Sequence, residues 1–172
     1  VHANTDLTTI DFTSLIAVGD YILYTDNPVL EAISMPALDS VEGYFEVESN
    51  SGMERIEAPN LTEIGNMFKL NGMDVLHTVS LDLLTDIGHT LYIKSCHDLE
   101  TVSLPALVNV ETNLEIRNNS VIDTIDLPVL EEVGSVVQIE DNAVLDFVSA
   151  PVLSTVGSSL FFRNNPDLST LI

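Results

Sequence analysis

The sequence predicts a mainly β protein, built as a single-domain solenoid of 23-residue units with parallel sheets. Three columns of residues carry this prediction, because each recurs at a step of 23 residues or a multiple of it. They are the prolines Pro36, Pro59, Pro105, Pro128 and Pro151, the glycines Gly19, Gly65, Gly88, Gly134 and Gly157, and the asparagines Asn27, Asn50, Asn119, Asn142 and Asn165. Residues 1–172 hold about seven and a half such units, so we expect one domain.

Other residues fill the vacant slots of these columns. Asp82 takes the proline slot, Glu42 and Glu111 take glycine slots, and Met73 and Cys96 take asparagine slots. We expect the asparagines to point inward and to hydrogen-bond the backbone at the turn between strands, because a buried turn otherwise leaves polar groups without partners. The thiol in this column is expected to be a small buried apolar group rather than a nucleophile.

Apolar residues recur at the same step and supply the predicted core. Four columns, which begin at Leu7, Ile10, Leu15 and Val18, continue in every later unit with leucine, isoleucine, valine or methionine. A unit this short cannot bury its own apolar face, so the units are expected to stack on one another.

Alternation of period two predicts a strand after each glycine slot. Pairs such as Leu114 and Ile116 point inward with polar residues between them, which predicts one parallel sheet. A second ladder is expected before each proline, as at 101–104, because proline has no amide proton with which to continue it. Helix is expected only as single turns after the proline, and the rule for parallel crossovers favours a right-handed coil.

The columns resemble those of leucine-rich repeats, whose strand motif ends in asparagine or cysteine. The run from Leu114 to Asn119, with leucine, isoleucine and asparagine in the motif positions, is the clearest copy, and Cys96 lies where that family also accepts cysteine. A Val-Gly pair replaces the leucine before the strand, and the next apolar residue follows the asparagine by three places. These departures are similar to the receptor L-domain variant of insulin- and EGF-receptor ectodomains and of fungal GPI-anchored cell-wall proteins. The resemblance implies extracellular recognition or a cell-wall role, without catalysis.

Composition excludes several classes of function. The chain has 27 acidic and 5 basic side chains and a formal net charge of −22, so it would repel nucleic acid and anionic membranes. One cysteine permits no internal disulfide and no four-cysteine zinc site. The longest apolar stretch, Leu15 to Tyr24, is interrupted by Asp20, so no membrane insertion is expected. No nucleophile with its base, phosphate-binding glycine loop or paired metal ligands stand out. We therefore expect no enzyme, no cofactor and no metal site.

The outward positions of the strand after the glycine slot hold the candidate binding residues. Aromatic and basic side chains concentrate there although the rest of the chain is acidic, and this composition is typical of interaction hot spots. Tyr21 and Leu23 extend the row. The alternative is charge pairing between coils, with Arg117 beside Glu140. The predicted ligand-binding residues are Tyr44, Lys69, Tyr92, Lys94, Arg117, Phe161 and Arg163.

Two further columns have alternative interpretations. His77 falls between Glu54 and Glu100, an arrangement that suits a divalent metal but more simply predicts charge pairing. Rows of threonine and serine before the proline, beginning at Thr9 and Ser34, resemble the ice-binding faces of some antifreeze proteins. Their simpler explanation is the β-propensity of an exposed ladder.

Our functional prediction is an extracellular or cell-surface module, without catalysis, that binds a protein or glycan across the strand face, for recognition or adhesion. A structural cell-surface or cell-wall spacer and, less favoured, an ice-binding protein are the alternatives. Sequons place candidate glycosylation sites at Asn60 and Asn118. The repeat breaks off at Ile172 without a polar capping unit, so we expect either a segment of a longer chain or an end that associates with another copy.

Overall fold

A computed structural model describes residues 1–172 as a parallel β-solenoid with no helix. Each coil contains a short strand, a two-residue strand and a long strand, in that order. The chain runs through seven such coils and enters an eighth. The 23-residue unit predicted from the sequence is therefore one coil, and the predicted solenoid is confirmed.

The strands, in chain order, are as follows. The first four coils contain β1 (Thr9–Asp11), β2 (Ala17–Val18), β3 (Ile22–Thr25), β4 (Ala32–Ser34), β5 (Ser40–Val41), β6 (Phe45–Glu48), β7 (Arg55–Glu57), β8 (Glu63–Ile64), β9 (Phe68–Met73), β10 (Thr78–Ser80), β11 (Asp86–Ile87) and β12 (Thr90–Cys96). The remaining coils contain β13 (Thr101–Ser103), β14 (Asn109–Val110), β15 (Asn113–Arg117), β16 (Thr124–Asp126), β17 (Glu132–Val133), β18 (Val136–Glu140), β19 (Phe147–Ser149), β20 (Thr155–Val156), β21 (Ser159–Arg163) and β22 (Thr170–Leu171).

Successive coils pair in parallel with a register of exactly one repeat, so Ile10 lies opposite Ile33. The seven long strands form one sheet, which we call the long sheet, and the seven two-residue strands form a second. The short strands form two separate four-stranded sheets. The sequence predicted the long sheet and the short-strand ladder. It did not predict the two-residue ladder, because two residues are too few to show an alternation.

The inward columns form one continuous apolar core between the sheets. A single cluster of 41 buried apolar residues runs along the coils. Phe45 and Phe68, on neighbouring long strands, pack edge to face with ring centroids 5.5 Å apart. Leu160 lies in an inward column but is 54% exposed, because no further coil covers the last long strand. An apolar cavity of about 180 Å³ opens beside it, and association through this end stays a prediction.

The asparagine column forms a buried ladder of side-chain amides, as predicted. Asn119 donates from its backbone N–H and from Nδ2 to Oδ1 of Asn142, at 3.1 Å in both cases. Its Nδ2 also lies 3.3 Å from the carbonyl oxygen of Ile93. Asn27 and Asn50 repeat these contacts in the first coils. Each amide thereby satisfies backbone groups of the preceding coil.

The short-strand ladder is broken at one place, between β10 and β13, and we call this gap the ladder break. Elsewhere the residue after a short strand donates to the next coil, as Ala58 does to Ser80 and Leu104 does to Asp126, but Leu81 makes no such bond. His77 donates to Glu54, but Glu100 does not donate to His77. Of their three strand ladders, coils 4 and 5 therefore share the other two.

The ladder break follows coils 3 and 4, the two coils in which asparagine is missing. Met73 and Cys96 pair with each other and lengthen β9 and β12 beyond the other long strands. A small cavity of about 20 Å³ opens beside the break among residues that include Val79 and Leu99. Cys96 has no exposed surface, and burial raises the pKa of its thiol to about 12. The predicted buried thiol is thus confirmed, and it lies at the junction where the short-strand ladder is broken.

We expect Cys96 to report local opening at the ladder break. Since only the thiolate reacts with disulfide reagents, the native thiol must be uncovered before it is labelled. In a Cys96→Ala background, Met53→Cys places a thiol at an equally buried position between intact coils. Labelling by a chromogenic disulfide should be at least about tenfold faster at Cys96, which corresponds to an opening about 1.4 kcal/mol less costly. Equal rates with equal denaturant dependence would show that coils 4 and 5 open no more readily than the others.

Two finer expectations were wrong. The residues after the proline form hydrogen-bonded turns rather than helical ones, as Leu38 donates to the carbonyl oxygen of Met35. His77 does not pair with two carboxylates, since the ladder break separates it from Glu100 and it forms no ion pair with Glu54.

Candidate functional site

The outward positions of the long sheet form one continuous surface, which we call the strand face. Alternation places every second side chain of a long strand outside, three per coil, while the intervening ones enter the core. Tyr44 and Phe161 lie five coils apart, roughly 24 Å along the sheet at the usual strand spacing. All seven residues predicted as ligand-binding lie on this surface: Tyr44, Lys69, Tyr92, Lys94, Arg117, Phe161 and Arg163.

An aromatic pair lies at the N-terminal end of the strand face. The rings of Tyr21 and Tyr44 stack with centroids 4.9 Å apart and planes 9° from parallel. Tyr21 remains half exposed. Stacking fixes both rings, so this end presents a rigid apolar surface with two phenol groups.

Lys69 is enclosed by two carboxylates and is the most heavily paired base on the strand face. Its Nζ lies 2.6 Å from Oε1 of Glu46 and 2.6 Å from Oε2 of Glu48. Asn71 donates to the other oxygen of Glu48 at 2.7 Å. The hydrogen bond from Lys69 lowers the pKa of Glu48 although burial opposes it. Burial acts to lower the pKa of Lys69, but its bonds to both glutamates outweigh this and raise it.

Arg117 lies at the centre of the strand face and contacts two neighbours. Its guanidinium carbon lies 5.4 Å from the ring centroid of Tyr92, and Nη2 lies 2.8 Å from Oε2 of Glu115 on the same strand. The Nε atom is buried without a hydrogen-bond partner. Lys94 lies directly opposite Arg117 on the neighbouring strand. The expected pairing of Arg117 with Glu140 is therefore wrong, because the closer carboxylate is within its own strand.

Arg163 and Phe161 form the C-terminal group. The guanidinium carbon of Arg163 lies 4.2 Å from the ring centroid of Phe161, and its Nη1 lies 3.3 Å from Oε1 of Glu140. The Arg163 side chain is 58% exposed, twice the fraction of Arg117. Arg163 is therefore the more accessible of the two arginines on the strand face.

The predicted residues therefore form three groups along one sheet rather than one compact cluster. The sequence did not single out three of the glutamates that pair with them, Glu46, Glu48 and Glu115, and it placed the fourth, Glu140, beside Arg117 rather than Arg163. The signal for these contacts was available. Glu46 lies in the outward column of Lys69 and Glu140 in that of Arg163, whereas Glu48 and Glu115 each lie in the outward column next to that of the base they contact. Stacking and pairing hold these side chains in defined positions, a geometry suited to binding a preformed surface.

The strand face differs from the rest of the molecule in charge. It holds four acidic and four basic side chains, so it has no net formal charge. The whole formal charge of −22 thus lies on the other positions, where Arg55 is the single base. A partner that approaches the strand face therefore meets less local repulsion than one that approaches another side.

The two sequon asparagines lie on different sides of the solenoid. Asn60 is exposed and donates from Nδ2 to the carbonyl oxygen of Pro36 at 2.8 Å. Asn118 is exposed at the end of β15, next to Arg117, with a positive φ of 55°. A glycan on Asn118 would crowd the centre of the strand face, whereas one on Asn60 would leave it open.

No group of three or more histidine, cysteine, aspartate or glutamate side chains has a geometry that could hold a metal ion. The threonine row before the proline is divided by the ladder break, which separates Thr78 from Thr101. The flat, continuous array on which the ice-binding alternative depends is therefore interrupted in mid-molecule.

No family model, curated protein or solved structure matches the chain. The resemblance to receptor L-domains stays a prediction. The structure contains no helix that is both long enough and apolar enough to cross a membrane.

Proposed function

We propose that this protein is a non-catalytic recognition or adhesion module that works outside the cell or at its surface and binds a protein or glycan across the strand face. The observation that carries the proposal is the charge difference between surfaces. All exposed aromatic and basic contacts of the sheet lie on the one face that has no net charge, while every other side is acidic. The leucine-rich-repeat-like columns support an extracellular setting.

The arrangement of the side chains also supports binding. Arginine stacked on an aromatic ring combines apolar contact area with directional hydrogen bonds, and such residues dominate the binding energy of many interfaces. Arg117 and Arg163 are both held in this way, on tyrosine and on phenylalanine. These two arginines are the residues whose loss should weaken the proposed contact most.

The double variant Arg117→Glu with Arg163→Glu is expected to weaken binding at least about thirtyfold, since the loss of even one hot-spot residue costs about 2 kcal/mol. The measurement is saturation binding of the protein, carrying a C-terminal fluorescent label, to cells of the source organism and to their extracellular matrix. Arg55→Glu is the matched control, because it reverses a charge away from the strand face.

The outcomes separate the proposal from its alternative. Saturable binding that the double variant loses and the control keeps supports recognition by the strand face. Equal binding of all three proteins, or none, rejects that face as the contact surface and favours a structural spacer. Thermal unfolding of each variant establishes that a loss of binding is not a loss of fold.

A further inference from the structure

The five basic side chains differ in whether a carboxylate neutralises them. Lys69 contacts two glutamates, and Arg117 and Arg163 contact one each. Arg55 contacts two on another side of the molecule. Lys94 alone forms no ion pair, in a chain that has 27 acidic residues.

The neighbours of Lys94 in the sheet carry no negative charge either. Its partners in register are Asn71 on β9 and Arg117 on β15. Neighbouring parallel strands lie about 4.8 Å apart, so two cations project side by side from the strand face. Like charges at this separation repel each other, and no carboxylate lies between them. An anion bound at that point would relieve the repulsion.

Arg117 retains hydrogen-bonding capacity for such an anion. A guanidinium has five N–H donors, of which only those on Nη2 face Glu115. A carboxylate beside Nη1 of Arg117 and Nζ of Lys94 would receive charge-assisted hydrogen bonds from both. The ring of Tyr92 beneath the guanidinium holds it in place.

The charge outside the strand face restricts what can bring that anion. A polyanion would be repelled by the acidic remainder of the molecule, which carries the whole formal charge of −22. A ligand with one carboxylate among basic residues would instead be attracted by the acidic surfaces beside the strand face. Its carboxylate would be neutralised by Lys94 and Arg117 at the centre of that face. Proteins present this combination, whereas acidic glycans repeat their carboxylates and carry no balancing cations.

We propose that Lys94 and Arg117 together bind one aspartate or glutamate side chain of a protein partner whose surrounding surface is basic. This inference rests on the proposed function of the strand face and specifies its partner. Lys94 is then a specificity-determining residue, since it selects a carboxylate at one position of the interface.

The probe is a pair of synthetic nine-residue peptides with acetylated and amidated ends. Each peptide has two lysines on each side of its central residue. That residue is glutamate in the first peptide and glutamine in the second. They are titrated into isotopically labelled protein at low ionic strength, and binding is followed by the amide NMR shifts of β12 and β15. We expect the glutamate peptide to bind about three to ten times more tightly than the glutamine peptide. The shifts should centre on Lys94 and Arg117.

Two variants make the test specific. Lys94→Gln is expected to remove the difference between the peptides, whereas Arg55→Gln, which changes the net charge equally, should retain it. Equal affinity of the two peptides for the native protein would overturn the inference, as would a difference that survives Lys94→Gln. If the double arginine variant abolishes cell binding while the peptides are not distinguished, recognition by the strand face stands and the carboxylate site is rejected.

Discussion

Asn142→Ala is expected to lower the free energy of unfolding by about 3–5 kcal/mol, because it removes a fully buried amide that hydrogen-bonds the backbone of the preceding coil. Oδ1 accepts from the N–H and from Nδ2 of Asn119, and Nδ2 donates to the carbonyl oxygen of Ile116 at 3.0 Å. Alanine leaves the Asn119 N–H and the Ile116 carbonyl oxygen without these buried partners, and it opens a cavity. The measurement is urea unfolding followed by circular dichroism, and the melting temperature should fall by about 10 °C or more.

The matched control for Asn142→Ala is Asn66→Ala. The Asn66 side chain is exposed and makes no hydrogen bond in the structure, so the change should stay within about 0.5 kcal/mol. If Asn142→Ala and Asn66→Ala lower the free energy of unfolding by the same amount, the buried amide ladder makes no net contribution to stability. The column would then reflect the turn conformation that asparagine favours rather than its hydrogen bonds.

Gly134→Ala is expected to cost about 2–4 kcal/mol, because a Cβ at this position overlaps the carbonyl oxygen of Glu111 in the preceding coil. The backbone N–H of Gly134 donates to Val110 at 2.9 Å, which fixes the two coils at this separation. Glu111 occupies the same column with a side chain, so a coil can accept a Cβ after local adjustment. At position 134 no such adjustment has been made, since the carbonyl oxygen of Glu111 lies where the Cβ would be. Urea unfolding of the variant measures the cost.

Gly19→Ala supplies the comparison in the same column. No atom outside the glycine and its chain neighbours lies within 4 Å of a Cβ at Gly19, and its φ is not positive. This substitution should be neutral or should stabilise by about 0.4–1 kcal/mol, through the lower entropy of the unfolded chain. Equal losses at both positions would mean that glycine is required by the backbone conformation and not by the close approach of coils.

Most of the fold could be predicted because every coil of a solenoid has nearly the same local structure. Each column places the same type of residue in the same environment, so Leu114, Ile116 and Asn119 could be assigned to the interior from spacing alone. The predicted site residues could be placed on one face for the same reason, since alternation from buried Leu91 and Ile93 puts Tyr92 and Lys94 outside. Burial departs from the column where a neighbouring coil is missing, as at Leu160, which is inward but 54% exposed.

The specific contacts could not be predicted, because a column gives the neighbours of a side chain but not its rotamer. Arg117 has carboxylates both on its own strand and on the next, and the structure shows that it turns to Glu115. The stack of Tyr21 on Tyr44 and the absence of an ion pair at Lys94 are likewise choices among several side-chain directions. Only the packed sheet selects one of them.

The sequence by itself determined the repeat, its parallel pairing, the inward columns and the concentration of basic and aromatic residues on one surface, because all of these follow from periodicity. The tertiary structure decided where the repeat departs from itself. Met73 and Cys96 are visible in the sequence as missing asparagines, but the ladder break between β10 and β13 is not. Whether neighbouring coils stay within hydrogen-bonding distance on all three sheets depends on how the whole of each coil packs against the next, which no single column encodes.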